Sequence, residues 1–280
     1  MSHCQGQITK TTPTTENWLQ IIKGIKFPLT DYDKSRILLG HLKRYGSVIV
    51  KIGDSSEILN EYEKSKILHK IKGFVKYICF FECKDDFRSV PSHDRNYICD
   101  GVGDTMKVIL MPYFSLGSMA QYKWNSDNLH ILKSCLKHSL VSYLTAFYGM
   151  NLIHNDFHAG NILLKATKQA RIIYDIPEVG SYTLPTHGIR PWIMDFEKMD
   201  YANYSSSYNK IISLNNFYFD INNRLFGYLP GSIKNFNMVT VLPISMYLNS
   251  LQMKSVAIKK LELDRVFQLI DRIEFLETFS

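Results

Sequence analysis

Lys51 stands inside SVIVKI, a run otherwise made of residues that favour β-strands. An ammonium in the middle of such a strand is costly unless a carboxylate meets it. The segment SSEILNEYEKSKILHKIK, from Ser55 to Lys72, opens on a serine start signal and spaces Ile58, Tyr62, Leu68 and Ile71 for a helix. It offers Glu57, Glu61 and Glu63 as partners, and Glu61 is favoured, one helical turn from Ser65 and two from Leu68 on an inward-tending stripe. Taken alone, Lys51 would read as an edge-strand lysine that protects a sheet from aggregating, so its company decides.

SRILLGHLKRYGSVIVKIG reads as a hairpin turning at Arg44 to Ser47, with its second strand at Ser47 to Ile52. Further strands are expected at Phe74 to Glu82 and Lys107 to Met111, with a polar loop from Lys84 to Thr105 between them. Up to Met111 the chain thus reads strand, strand, helix, strand, strand. After MPYFSLGSM the pattern turns helical: His130 to Gly149 has apolar residues on more than one face, as a core helix does. The C-terminal SLQMKSVAIKKLELDRVFQLIDRIEFLETF gives a further amphipathic helix or pair. The expected class is α+β in two lobes: a threonine-rich lead-in 1–16, a small β-rich lobe 17–111, a hinge 112–117 and a larger helical lobe 118–280.

A chain of 280 residues that is 45% hydrophobic can bury one large core or two modest ones. No apolar run approaches the roughly 18 residues that span a bilayer, and the N-terminal stretch lacks the order of a secretory signal. A cytoplasmic location without a membrane span is expected. The five cysteines, Cys4, Cys79, Cys83, Cys99 and Cys135, show no zinc-ligand spacing and read as free, mostly structural thiols. The net charge of +7 suits a polyanionic partner such as a nucleotide, but the basic residues are dispersed, and nucleic acid is not expected.

The chemistry concentrates in IHNDFHAGNILL, where Asp156 and Asn161 share a short polar loop between apolar runs. A carboxylate there can orient or deprotonate an attacking hydroxyl while the amide oxygen holds a divalent cation, and phosphoryl transfer needs both close together. A second carboxylate for the metal is wanted from a strand end facing the loop. PWIMDFEK supplies it: Ile193 and Met194 close an apolar strand and Asp195 follows. Lys51 would then serve the α- and β-phosphates. By itself an Asp followed five positions later by an Asn is ordinary turn chemistry; Lys51 and Asp195 give it the second meaning.

Taken in order, Lys51, the helix glutamate, HNDFHAGN and DFE, with the hinge-like ILMPYFSLGSM between them, resemble the protein-kinase-like superfamily, whose motifs are V-A-I-K, H-R-D-x-x-x-x-N and D-F-G. The resemblance covers roughly residues 30 to 225. It narrows to haspin-type kinases and the Ser/Thr kinases of large DNA viruses, which share a His two residues after the catalytic Asp and an inserted β-hairpin carrying a Tyr and a Pro-x-x-Gly stretch. Here the insert runs from Lys165 to Arg190, with Tyr174 and LPTHG at the matching places.

The resemblance implies a bilobal kinase fold, ATP with Mg²⁺ or Mn²⁺, a protein substrate bearing Ser or Thr and, for a viral chain, a place in the host cytoplasm or virion. It implies Asp156 as catalytic base, Asn161 and Asp195 as metal ligands, Lys51 on the phosphates with Glu61 as ion-pair partner, and His158 either on the γ-phosphate or packed in the loop. It further implies Met111 as gatekeeper, the carbonyl of Pro112 and the amide of Phe114 facing adenine, and Asp220 of FDINN capping the catalytic-loop backbone. Between Asp195 and Asp220 there is no A-P-E motif, which implies activity without activation-loop phosphorylation.

Two features depart from the pattern. PLTDYDKSR, Pro28 to Arg36, falls where a glycine-rich phosphate loop is called for and contains no glycine, which hinders close backbone approach to phosphate. Glu197 replaces the glycine of D-F-G, as in choline-kinase-like and aminoglycoside-phosphotransferase-like enzymes, so a small-molecule kinase is the alternative and a pseudokinase scaffold the third reading. The inserted hairpin and FDINN favour a protein acceptor. His154 reads as a packed scaffold residue, His187 as loop, and the tyrosine-rich DYANYSSSYNKIISLNNFYF as substrate-facing or core.

Overall fold

A computed structural model describes residues 20–24, 35–42, 46–85, 99, 103–233, 236–255 and 257–276, and its elements are mixed α+β. The lead-in 1–16, the hairpin turn at Arg44, the stretch PLTDYDK and most of the polar loop after Lys84 lie outside the described residues. The chain divides into two compact units. One holds the described residues up to His69 with Val75–Tyr113, the other Lys70–Phe74 with the described residues from Phe114 onward.

The first unit is an antiparallel sheet carrying a helix. Strands β1 (Gln20–Gly24), β2 (Ser35–Leu42), β3 (Gly46–Gly53), β4 (Cys79–Asp85) and β5 (Asp104–Pro112) lie in the order β1-β2-β3-β5-β4. β3 is flanked on both sides, with Lys51 opposite Ile37 and Ile109, so Lys51 is not an edge lysine. Alternation along the strand sends Val48, Val50 and Ile52 into one buried layer with Phe81, Val108 and Leu110, and Lys51 to the opposite face. Helix α1 (Ser56–Leu68) starts where Ser55 Oγ accepts the amide of Glu57 at 3.1 Å. Its buried stripe is Ile58, Glu61, Ser65 and Leu68; Tyr62, expected inward, is half-buried and stacks on Phe80.

Three expectations need correction here. β1 is a strand that the sequence reading lacks. β4 starts at Cys79 rather than Phe74, because Phe74 is taken up in the second unit by a parallel bridge to Ile193. Cys83 and Cys99, expected as free thiols, form a disulfide with Cα atoms 5.3 Å apart, whereas Cys79 and Cys135 are free and buried.

The second unit is built on α2 (Leu129–Met150), buried on most sides through Leu132, Leu136, Leu140, Tyr143 and Phe147, as its apolar pattern requires. The helix ends at Asn151 in the left-handed region, whose N–H reaches the carbonyls of Ala146 and Phe147. Six short strands follow: β6 (Leu152–Ile153), β7 (Ile162–Ala166), β8 (Arg171–Ile176), β9 (Gly180–Pro185), β10 (Ile189–Ile193) and β11 (Asp200–Tyr201). They pair antiparallel as β6 with β11, β7 with β10 and β8 with β9, so the inserted segment holds a hairpin between two paired strands. His138 of α2 fastens that hairpin, with Nδ1 2.9 Å from Tyr174 Oη and Nε2 3.0 Å from the carbonyl of Pro185. Burial lowers the His138 pKa to about 4, so the imidazole is neutral in its slot.

Helix α3 (Ser207–Phe219) continues into a π-helical turn, Asp220–Phe226, and then α4 (Gly227–Ser232). The tyrosine-rich stretch contributes to the core here: Phe217 packs at 5.0 Å from Tyr143 and 4.1 Å from Phe147. Helices α5 (Met238–Met253) and α6 (Lys260–Asp271) form a C-terminal pair. Among the described residues no helix is long and apolar enough to cross a membrane.

Residues 70–74 belong to this unit through a close backbone approach. Gly73, at φ 89°, accepts the amide of Ile193 at 2.7 Å, and a Cβ on it would lie 2.0 Å from Ser142 Oγ and 2.7 Å from Ser142 Cβ. Gly73→Ala is expected to cost about 2–4 kcal/mol in denaturant unfolding, because strained φ adds to overpacking. Gly46→Ala, at φ 73° with open space around its Cβ, is expected to cost only about 1 kcal/mol. Equal losses would leave the Ser142 contact without weight.

Candidate functional site

In the first unit, the demand that Lys51 makes of the sequence is met by Glu61. Lys51 Nζ lies 2.7 Å from Glu61 Oε2, with side-chain exposures of 11% and 2%. Tyr77 Oη donates to the other oxygen, Oε1. Glu57 is instead used at the helix start with Ser55, and Glu63 pairs with Lys66 on the surface. Ion and hydrogen bonds to both carboxylate oxygens are what allow such a pair to survive desolvation. Met111 and Pro112 close β5 opposite Ile49 and Val48, and Met111 is buried.

In the second unit, IHNDFHAGN leaves β6 as an irregular loop and ends in a 3₁₀ turn, Ala159–Asn161. His158 caps that turn: its Nδ1 accepts the amide of Gly160 at 3.0 Å. The ring lies so close that a Cβ on Gly160 would sit 2.8 Å from His158 Cε1, which explains the glycine of HAGN. Burial lowers the His158 pKa, so its Nε2 faces Asp156 Oδ1 as a neutral group, at 3.8 Å. That is too far for a hydrogen bond.

Asn161 donates through Nδ2 to the carbonyl of Asp156 at 3.0 Å, which leaves its amide oxygen as the atom that could ligate a metal. The carbonyl of Asn161 accepts the amide of Met194 at 2.9 Å, tying the loop to the end of β10. Asp195 follows with φ 65°, in the left-handed region that few non-glycine residues other than Asn and Asp enter. The carboxylates of Asp195 and Glu197 bring oxygens within 4.8 Å of one another. Glu197, a departure from the motif, therefore stands beside Asp195 as a second hard oxygen donor of the kind that can hold a metal ion.

His154 is buried, with Nε2 2.9 Å from the carbonyl of Met194, and burial lowers its pKa; it is scaffold. Asp220 Oδ2 accepts the amide of Asn155 at 2.7 Å and the hydroxyl of Tyr143 at 2.6 Å, at the root of the loop. Phe114 is buried, packs 6.3 Å from Trp192 and accepts the amide of Gly117 through its carbonyl. His187 lies in the turn before β10, edge-on to His130.

Two residues that the motifs do not contain complete the site. Lys198 Nζ donates to Asp156 Oδ2 at 2.8 Å, and Arg224 Nη1 donates to Asp156 Oδ1 at 2.8 Å. Burial alone would raise the Asp156 pKa, yet the hydrogen bonds from Lys198 and Arg224 outweigh it and hold the carboxyl below its ordinary value. The same bond to Asp156 raises the Lys198 pKa. The one sequence signal for Arg224 is its place one helical turn after Asp220, and its Nε lies 3.4 Å from Asp220 Oδ1. Lys198 has no such signal beyond standing three residues after Asp195.

No protein-family model and no curated protein matches this sequence. The chemistry of the site rests on its own geometry.

Lys51→Met, which takes the cation from the buried Glu61, is expected to cost about 3–5 kcal/mol. Lys51→Met combined with Glu61→Gln, which keeps an acceptor for Tyr77, should recover most of that in a double-mutant cycle; additive losses would show the pair to be uncoupled. Asp156, with its folded pKa below an unfolded value of about 3.9, contributes stability that is present above that value and lost as pH falls through the lower folded one. Urea midpoints taken from pH 7 to 2 should therefore fall more steeply in the native chain than in Asp156→Asn. Parallel curves would mean that the two cations give the carboxylate nothing.

Proposed function

We propose that the chain is a metal-dependent phosphotransferase of the bilobal protein-kinase type, which moves the γ-phosphoryl group of ATP to a Ser or Thr hydroxyl of a protein. The observation that carries this reading is the tie between the loop and the end of β10. Through the Met194 amide on Asn161 and the Asn161 amide on Asp156, one hydrogen-bonded frame joins the residue read as base to the residues read as metal ligands. The paired Lys51 and Glu61 support it from the first unit.

In this reading Asp156 accepts the hydrogen bond of the acceptor hydroxyl, aims its oxygen at the γ-phosphorus and takes its proton as the new O–P bond forms and the bond to the bridging oxygen breaks, which leaves with ADP. Asp220 and Tyr143 hold the backbone that leads into Asp156, so the base is positioned before substrate arrives. Asn161 and Asp195 would hold the divalent cation, with Glu197 in support, and a cation held there would supply neutralising charge to the phosphates. Lys51 Nζ, fixed by Glu61, would take the α- and β-phosphates. His158 keeps the loop closed over Asn161 and moves no proton.

The test is transfer of labelled γ-phosphate, with Mg²⁺ and separately Mn²⁺, into the chain itself and a mixed set of proteins. Asp195→Asn should be silent, and Asp156→Ala slower by about 10²–10⁴-fold. Transfer that survives Asp156→Ala would remove that residue as base. A folded native chain that labels no protein would remove the protein-kinase reading.

A further inference from the structure

Phosphoryl transfer asks for a hydrogen-bonding cation where the acceptor oxygen meets phosphorus, because negative charge rests on the three oxygens of the moving group. The loop IHNDFHAGN supplies none of its own. His158, two residues after Asp156, has Nδ1 occupied by the amide of Gly160, and its Nε2 lies 3.8 Å from Asp156 Oδ1. Arg224 is divided between Asp156 Oδ1 and the buried Asp220, and its side chain is 25% exposed. Lys198 stands differently. Its side chain is 61% exposed, its Nζ donates to Asp156 Oδ2 at 2.8 Å, and an ammonium has two further N–H donors. Asp195 acts on it electrostatically as well, so Nζ is within reach of both the base and the metal side of the site.

Resting on the proposed phosphoryl transfer, we infer that Lys198 is a further catalytic residue, which holds Asp156 with one N–H and the γ-phosphoryl oxygens with another. The hydroxyl oxygen that hydrogen-bonds to Asp156 is the atom that attacks the γ-phosphorus. A donor 2.8 Å from the same carboxylate is therefore about one hydrogen bond away from the oxygens in transit. As the O–P bond forms, the bond from the γ-phosphorus to the bridging oxygen breaks and its electron pair leaves with ADP. The hydroxyl proton passes to Asp156, and Lys198 keeps all three of its own. Asp195 and Glu197 are like charges to the phosphate, and in this reading they face the divalent cation, so the contact from Lys198 is expected with the metal present.

ADP lacks the γ-phosphate, so the ratio of ATP to ADP affinity isolates this contact without any acceptor. Displacement of a fluorescent ATP analogue at saturating Mg²⁺ gives both dissociation constants. Lys198→Gln should bind ATP about tenfold more weakly than the native chain does and ADP equally well to within about twofold. Lys198→Arg should keep most of the ATP affinity. In the transfer assay Lys198→Gln should lose about 10²-fold in kcat, with KM for the protein acceptor little changed. A lysine that only positions Asp156 would lower kcat and leave the ATP-to-ADP ratio where it stood. A ratio unmoved by Lys198→Gln therefore overturns the inference while leaving phosphoryl transfer intact. A folded native chain that binds neither nucleotide overturns both.

Discussion

Asp220 is 1% exposed among aromatic side chains, and the loop that follows β6 hangs from it. Taking a carboxylate out of water costs several kcal/mol, and burial pushes its pKa up. What offsets the cost is a short relay of donors. The Asn155 amide and the Tyr143 hydroxyl both bind Oδ2, and the Tyr143 oxygen in turn accepts the amide of His154 at 3.1 Å. Two successive backbone groups are thereby fixed to one buried atom and to the ring of the central helix. Asp156 is the next residue in the chain, so its place follows from theirs.

The π-helical turn that begins at Asp220 makes the same residue serve a second purpose. It brings Arg224 to both carboxylates, 3.4 Å from Asp220 and 2.8 Å from Asp156. π-turns are rare and cluster where geometry is used for function. Two cations on Asp156 keep it ionised at neutral pH but also lower its basicity. Under the proposed phosphoryl transfer that trade is tolerable, because a loose transition state needs little proton transfer and orientation of the hydroxyl matters more.

The sequence was most legible where one residue created a debt that only another could settle. Lys51 in an apolar strand required a carboxylate, and helical spacing singled out Glu61, which the structure places at 2.7 Å. The buried helix around Tyr143 and the strand end before Asp195 were readable from apolar runs alone. Lys198, Arg224 and the Cys83–Cys99 link were not. Each is joined to its partner by the fold, at separations of 42, 68 and 16 residues, and none lies in an apolar pattern that would mark it. Local propensity also misplaced β4, because Phe74 has a strand-like neighbourhood but is drawn to Ile193 by a bridge in the other unit.

The Cys83–Cys99 disulfide joins a residue of β4 to one 16 positions on, ahead of β5, and its effect falls mainly on the unfolded chain. A cross-link over a loop of that size removes conformational entropy from the denatured ensemble worth about 3 kcal/mol. The cytosolic thiol pool reduces most such bonds. The first unit thus has two stabilities, one for each oxidation state of its sheet edge, and the compartment in which the chain works sets which of them it folds with.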